Sequence, residues 1–354
     1  MDVLMDVRIH LIRVDVRAWL LWALTVLVVA SSTRNPFYVV LLLLVTMVVG
    51  ATCAPGRGRR GALPSLRFAA VAVPMAALFN GLTAHLGDTV LLRLPGWLPL
   101  LGGPVTLEAL AFGALNGLTL TTIFSGFAVF NQVTPVRDLV RLTPRAFHEA
   151  GVVLSIALTF VPQTTRSLAR IREAQAVRGH RVRGLRDWLP IFIPLLVSGL
   201  ERSMGLAEAM VARGYGAVSD RAQPLRTQAF LALGLFVLLG GWLAFLFLPS
   251  WKAVALGGMI VGVAVIVGVL RLAGRAVPRT VYRPYRWSRR DTLVVLGCGL
   301  VLAVTLLPWP WPGWPTLAYT PFPRLTLPPF DPLVGLGLLG LAVPAIVAAG
   351  KSRS

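Results

Sequence analysis

The sequence predicts an all-α fold: a polytopic membrane protein of about eight transmembrane helices, with a cytoplasmic helical module between the fourth and the fifth. Three observations predict it. Hydrophobic residues make up 56% of the 354 residues and charged residues only 14%, too little polar surface for a soluble chain of this length. The apolar residues come in long blocks, as a bilayer core about 30 Å thick demands of helices of roughly 20 residues. The charge, a net +20 from 34 Lys+Arg against 14 Asp+Glu, sits in the loops between those blocks.

The spans follow in order. The first four are expected at residues 18–32, 37–54, 68–85 and 105–130, and the last four at 229–248, 251–272, 292–307 and 332–349. The connection Thr33-Arg34-Asn35-Pro36 is short and makes the first two a hairpin. The basic connections are the N-terminus, 55–67, 131–146, 274–291 and the tail around Lys351 and Arg353. The poorly charged ones are 33–36, 86–104, 249–252 and the Pro/Trp-rich 308–331. The two sets alternate, so the positive-inside rule places both termini in the cytoplasm of a prokaryotic cell. Trp309, Trp311 and Trp314 then fall on the outer side, as interfacial anchors. The N-terminal stretch lacks an apolar core followed by a small-residue cleavage site. Cys53 and Cys298 lie apart within apolar segments and read as small core residues.

The chain divides by this reading into an N-terminal bundle (1–130), a module (131–226) and C-terminal helices (227–354). The module is basic but holds two apolar runs, Gly151–Val161 and Leu189–Val197. Each is too short to span and is flanked by Arg, so both are expected as cytoplasmic helices packing apolar faces on the bundle.

Inside the module one pattern occurs twice. Glu173-Ala174-Gln175-Ala176-Val177-Arg178-Gly179-His180 and Glu208-Ala209-Met210-Val211-Ala212-Arg213-Gly214-Tyr215 both read Glu-Ala-x-x-x-Arg-Gly-aromatic, 35 positions apart. Ala, Glu, Gln and Met favour helix, and Gly just after the run signals a C-terminal cap. Each Arg is therefore expected at a helix tip, where the helix dipole favours a cation. Its planar fork suits an acidic or carbonyl-lined groove on a partner. An Arg at one capped helix end is ordinary; an identically placed pair in the large polar module asks for a function.

At these residues the sequence resembles the transmembrane coupling (T) component of energy-coupling factor transporters, the family that includes the CbiQ-type cobalt transport proteins. That family carries two Ala-Arg-Gly motifs on cytoplasmic coupling helices. Ala212-Arg213-Gly214 matches intact, whereas Val177-Arg178-Gly179 has Val for Ala, with Ala176 preceding it. Arg13-Val14-Asp15-Val16-Arg17 is similar to the polar approach to the family's first span, and Thr134–Leu139 resembles its lead into the coupling module. The resemblance covers roughly 8–275 and is most specific over 163–216. It implies a non-catalytic scaffold for the uptake of a vitamin or metal ion. Two ABC ATPase subunits, which hold the ATP, would dock on the tips through Arg178, Gly179, Ala212, Arg213 and Gly214, supported by Glu173, Ala176 and Glu208. A small membrane-embedded substrate-binding (S) subunit would dock on the bundle. The chain itself needs no cofactor. Glu173 has Arg170 and Arg172 as candidate ion-pair partners, with a solvated helix face as the alternative.

Other classes fit less well. An intramembrane enzyme would place costly ionisable pairs within its spans. Here His85 and Glu108 lie near span ends, Asn80 and Asn116 are neutral, and no His/Asp/Glu cluster has metal spacing. No Gly-x-Ser-x-Gly and no phosphate-cradling loop occurs, so the chain is not itself the ATPase. His148 and His180 read as surface polar residues. A self-contained transporter or permease would need a polar path that these spans lack, and an ordinary ABC permease would show a single coupling helix. The basic loops need no nucleic acid to explain them.

Overall fold

A computed structural model describes residues 14–53, 63–84, 86–93, 103–180, 184–215, 225–275, 287–306 and 314–349. Outside them fall Arg13, His85, the basic turn at 55–60, the whole Leu94–Pro99 loop, Arg279, Arg283 and Arg286, Trp309 and Trp311, and the terminal Lys351 and Arg353. The described chain is almost entirely helical: α1 Val16–Ser32, α2 Pro36–Cys53, α3 Leu63–Thr83, α4 Leu107–Val133, α5 Val136–Val140, α6 His148–Val177, α7 Leu189–Ala212, α8 Leu225–Phe247, α9 Lys252–Arg275, α10 Arg289–Leu306, α11 Pro332–Leu338 and α12 Val343–Ala349. Strands β1 Val90–Arg93 and β2 Pro104–Thr106 pair antiparallel between α3 and α4, where the sequence suggested only a loop.

Among the described residues eight helical stretches are long and apolar enough to cross a membrane: α2, α3, α4, α6, α7, α8, α9 and the segment 332–349. The chain is a multi-pass membrane protein, as its composition required. The membership of the eight differs from the sequence reading in two places. At 17 residues α1 falls short of a full span, and α10 opens on Arg289, Arg290 and Asp291. The two apolar runs of the module are the first parts of much longer helices, 30 residues in α6 and 24 in α7. They were expected to be too short to span; by length and composition both helices could. The apolar stretch ends at Pro162 in α6, but Ser167 to Val177 is rich in helix formers, so the helix runs on through polar sequence that hydropathy does not count. Residues 332–349 are not one helix. A tight turn at Leu339–Ala342 separates α11 from α12, where Pro344 supplies no N–H to continue the ladder.

The chain forms two compact units, 1–138 with 283–354, and 139–282. In the first, α1, α2, α4, α10, α11 and α12 close round a core of Val26, Val29, Tyr38, Leu42, Val49, Val301, Leu338 and Leu341. Without a hydrophobic drive between helices in lipid, close packing through small residues holds such a bundle. A Cβ added to Gly117 of α4 would stand 2.8 Å from Val73 Cα of α3, and one on Gly297 of α10 would stand 2.6 Å from the Gly340 carbonyl oxygen. Most polar groups in the core are paired; among the described residues Gln132 Oε1 and Thr134 Oγ1 are buried without a hydrogen-bond partner. Trp22 Nε1 donates to the Leu341 carbonyl at 2.9 Å, and Asn35 Nδ2 donates to the carbonyls of Thr316 and Pro329. The fully buried Asp291 accepts from the backbone N–H of Asp15 and of Ser288, both at 2.7 Å, tying α10 to the start of α1. Cys298 is buried in this core, as expected, and Cys53 is partly buried.

The second unit holds α6 to α9. α8 and α9 form a tight hairpin in which a Cβ on Gly262 would lie 2.9 Å from the Gly234 carbonyl oxygen. α6 and α7 are joined through the turn Leu185–Trp188. The compact units cut the chain differently from the ranges 1–130, 131–226 and 227–354, because α10 to α12 pack with the N-terminal helices while α8 and α9 belong with α6 and α7.

Candidate functional site

Both repeats end their helices in the same way. After Val177, Arg178 is the cap residue; Gly179 N–H donates to the Ala176 carbonyl at 3.0 Å and His180 N–H to the Gln175 carbonyl at 3.0 Å. After Ala212, Arg213 is the cap residue; Gly214 N–H donates to the Val211 carbonyl and Tyr215 N–H to the Met210 carbonyl, both at 2.9 Å. These paired bonds are the Schellman motif, which needs a left-handed residue after the cap. Gly179 and Gly214 supply it with φ of +79° each, a conformation that strains any residue with a Cβ. The sequence pattern thus builds two superimposable tips with Arg at the same place in each.

The tips are open. Glu173, Ala176, Arg178 and Gly179 are exposed, as are Glu208, Ala212, Arg213 and Gly214. Val177 is 90% exposed and Val211 71%, apolar side chains that a monomer has no reason to leave in water. Nothing lies within 4 Å of where a Cβ on Gly179 or Gly214 would stand. The Val for Ala in the first copy is compensated by order: Ala176-Val177 precedes Arg178 where Val211-Ala212 precedes Arg213. Among the described residues Glu173 makes no ion pair with Arg170 or Arg172. Arg170 instead donates to Ser167, and Arg172 lies over the Trp188 ring at 5.6 Å. His180, expected as a surface polar residue, makes a ring contact of 2.8 Å with the Asp187 carbonyl and pins the first tip to the following turn.

The two helices run antiparallel. Gln175, near the end of α6, donates to the carbonyl of Pro190 at the start of α7, while Ser167 Oγ in mid-α6 accepts from Arg202 Nη2 at 3.1 Å. Farther along, Phe160 and Gln163 share a groove with Gly205, Leu206 and Ala209. Ser167 and Arg202 are themselves 35 positions apart, the repeat spacing. They meet eleven residues before Arg178 and eleven before Arg213. The two tips therefore lie at opposite ends of the pair, each about 16 Å from the meeting point at about 1.5 Å per residue. Sequence reasoning missed Ser167 and Arg202. The signal was present: extending the repeat six residues upstream of Glu173 and Glu208 puts these two in register.

The fold is that of a multi-pass membrane protein, and it carries two identically capped, exposed Arg tips. The family described as Cobalt transport protein (CbiQ) matches residues 8–225, and the chain belongs to that family. It is similar to the energy-coupling factor transporter transmembrane protein EcfT of Streptococcus equi subsp. equi, 36% identical over 149 residues, covering 39% of this chain and 54% of that protein. The EcfT proteins of Streptococcus thermophilus (33%, covering 36% and 53%) and of Listeria monocytogenes (EcfT 1, 32%, covering 32% and 49%) are similar as well. These alignments span about half the length of the relatives.

Proposed function

We propose that the chain is the transmembrane coupling subunit of an energy-coupling factor importer in a prokaryotic plasma membrane, with both termini cytoplasmic. Two ABC ATPase subunits engage the tips, one on Arg178-Gly179 and the other on Ala212-Arg213-Gly214. A small membrane-embedded substrate-binding subunit sits on the helical bundle and delivers a vitamin or metal ion. ATP is bound and hydrolysed by the ATPases, and this chain holds no cofactor and performs no catalysis. One observation carries the reading: two identically capped, exposed Arg tips stand at opposite ends of one antiparallel helix pair. A pair of like subunits needs two like contacts. The exposed Val177, next to Arg178, and Val211, two residues before Arg213, add an apolar contact to the charged one, and Glu173 and Glu208 sit five residues before the Arg, open to pair with a partner's base.

The experiment is co-purification. Tagged wild-type chain is expected to bring down two ATPase subunits and support ATP-driven uptake. R178A together with R213A is expected to lose both, and each single substitution to cost about 2–5 kcal/mol of binding if its guanidinium is buried and paired in the complex. Full assembly and uptake by the double variant overturns the role of the tips. Substrate transport by this chain alone in liposomes overturns the subunit reading in favour of a self-contained transporter.

A further inference from the structure

The two tips share a cap but differ in what holds them. Side chains brace the first tip on the turn that follows it. His180 makes its 2.8 Å ring contact with the Asp187 carbonyl, Gln175 Nε2 donates to the Pro190 carbonyl at 3.4 Å, and the Arg172 guanidinium lies 5.6 Å over the Trp188 ring. The turn is itself pinned, since Gly184 N–H donates to Asp187 Oδ2 at 3.0 Å. The second tip has no such brace. Beyond Arg202, which reaches Ser167, no side chain of α7 or its cap makes a hydrogen bond, ion pair or ring contact with another element among the described residues. The difference lies in the sequence. At the repeat spacing of 35, Arg172, Gln175 and His180 stand where α7 has Ala207, Met210 and Tyr215. Ala207 and Met210 have no proton to donate, and Tyr215 is exposed.

A helix end held by its backbone cap alone opens more readily than one tied down by tertiary contacts. A docking post that is already ordered binds without the cost of ordering it, whereas an unbraced one gives up part of its binding free energy to that ordering. We infer that the two tips recruit their ATPases unequally. The Arg178 tip is the fixed, higher-affinity post on which the first ATPase docks, and the Arg213 tip is ordered only as a second ATPase closes on it. This deepens the coupling reading and rests on it. A half-loaded complex then carries its ATPase on the first tip.

The test has two parts, both on the full-length chain. Amide hydrogen exchange without any partner reads the posts themselves: protection across 176–180 is expected to exceed that across 211–215 about tenfold. Native mass spectrometry, with the ATPase subunits that co-purify with the tagged chain, reads the order of docking. Wild type is expected to hold two ATPases. At the same ATPase concentration R213A is expected to keep one, and R178A to bind its remaining one about tenfold more weakly. R172A/Q175M/H180Y gives the first tip the residues of the second and leaves Arg178 and its cap in place. In that background the protection of the two tips is expected to become equal, and the two single Arg variants to differ by less than about twofold. Equal protection of the wild-type tips, equal loss of ATPase by R178A and R213A, or a larger loss by R213A overturns the inference and leaves the coupling reading standing. So does an inequality that survives in R172A/Q175M/H180Y. A wild-type chain that holds no ATPase at all overturns the coupling reading and the inference with it.

Discussion

Gly179 and Gly214 show how little sequence it takes to fix a helix end. Each sits at φ +79° with open space where a side chain would go, so the requirement is conformational and not steric. Gly179→Ala or Gly214→Ala is expected to cost the tip about 1 kcal/mol, because alanine resists the left-handed region. Asn, which tolerates that region, is expected to cost less. Amide hydrogen exchange across 176–180 or 211–215 reads the effect directly, as faster exchange in the last turn, and the ATPase affinity of the assembled complex should fall with it. These caps were legible because a Gly following a run of helix formers has one common use. Glu173 was less legible. Arg170 and Arg172 are near it in sequence, but the first is taken by Ser167 and the second by Trp188, and only the partners across the helix pair show this.

Among the elements, the spans that hydropathy found best are those whose helix ends where the apolar run ends. α2 and α9 match their expected bounds closely. α6 does not, since its helix continues for about four turns past Pro162 in polar sequence. The break between α11 and α12 was also hidden, because apolar composition is uniform through it and only Pro344 marks the place. The helix contacts of the first unit yield a prediction of their own. Gly297→Val would force a branched side chain against the Gly340 carbonyl, a backbone group that cannot turn aside. A loss of about 1–3 kcal/mol is expected. Gly299→Val, two residues on and with nothing within 4 Å of its Cβ, should be near neutral. Thermal unfolding of the two variants in detergent separates them; equal melting temperatures would contradict the close α10 contact.

At the scale of the whole molecule, the alternation of basic and uncharged loops makes a sided prediction. With Cys53 and Cys298 replaced, a cysteine at the exposed Ser31 should react with a membrane-impermeant maleimide added to intact cells. One at Val177 should react only after the membrane is opened. The reverse pattern would invert the topology and remove the tips from the compartment that holds ATP. The class of molecule was legible from composition, and the doubled motif led to the family. Which helices keep company was not: α10 to α12 join the N-terminal helices across a long stretch of chain, through contacts such as Asp15 with Asp291 that no local pattern announces.

The contacts between α6 and α7 run from the groove at Phe160 and Ala209, through Ser167 and Arg202, to Gln175 and Pro190, so the pair behaves as one lever and not as two free arms. A displacement imposed at one tip is carried along the whole lever to the other.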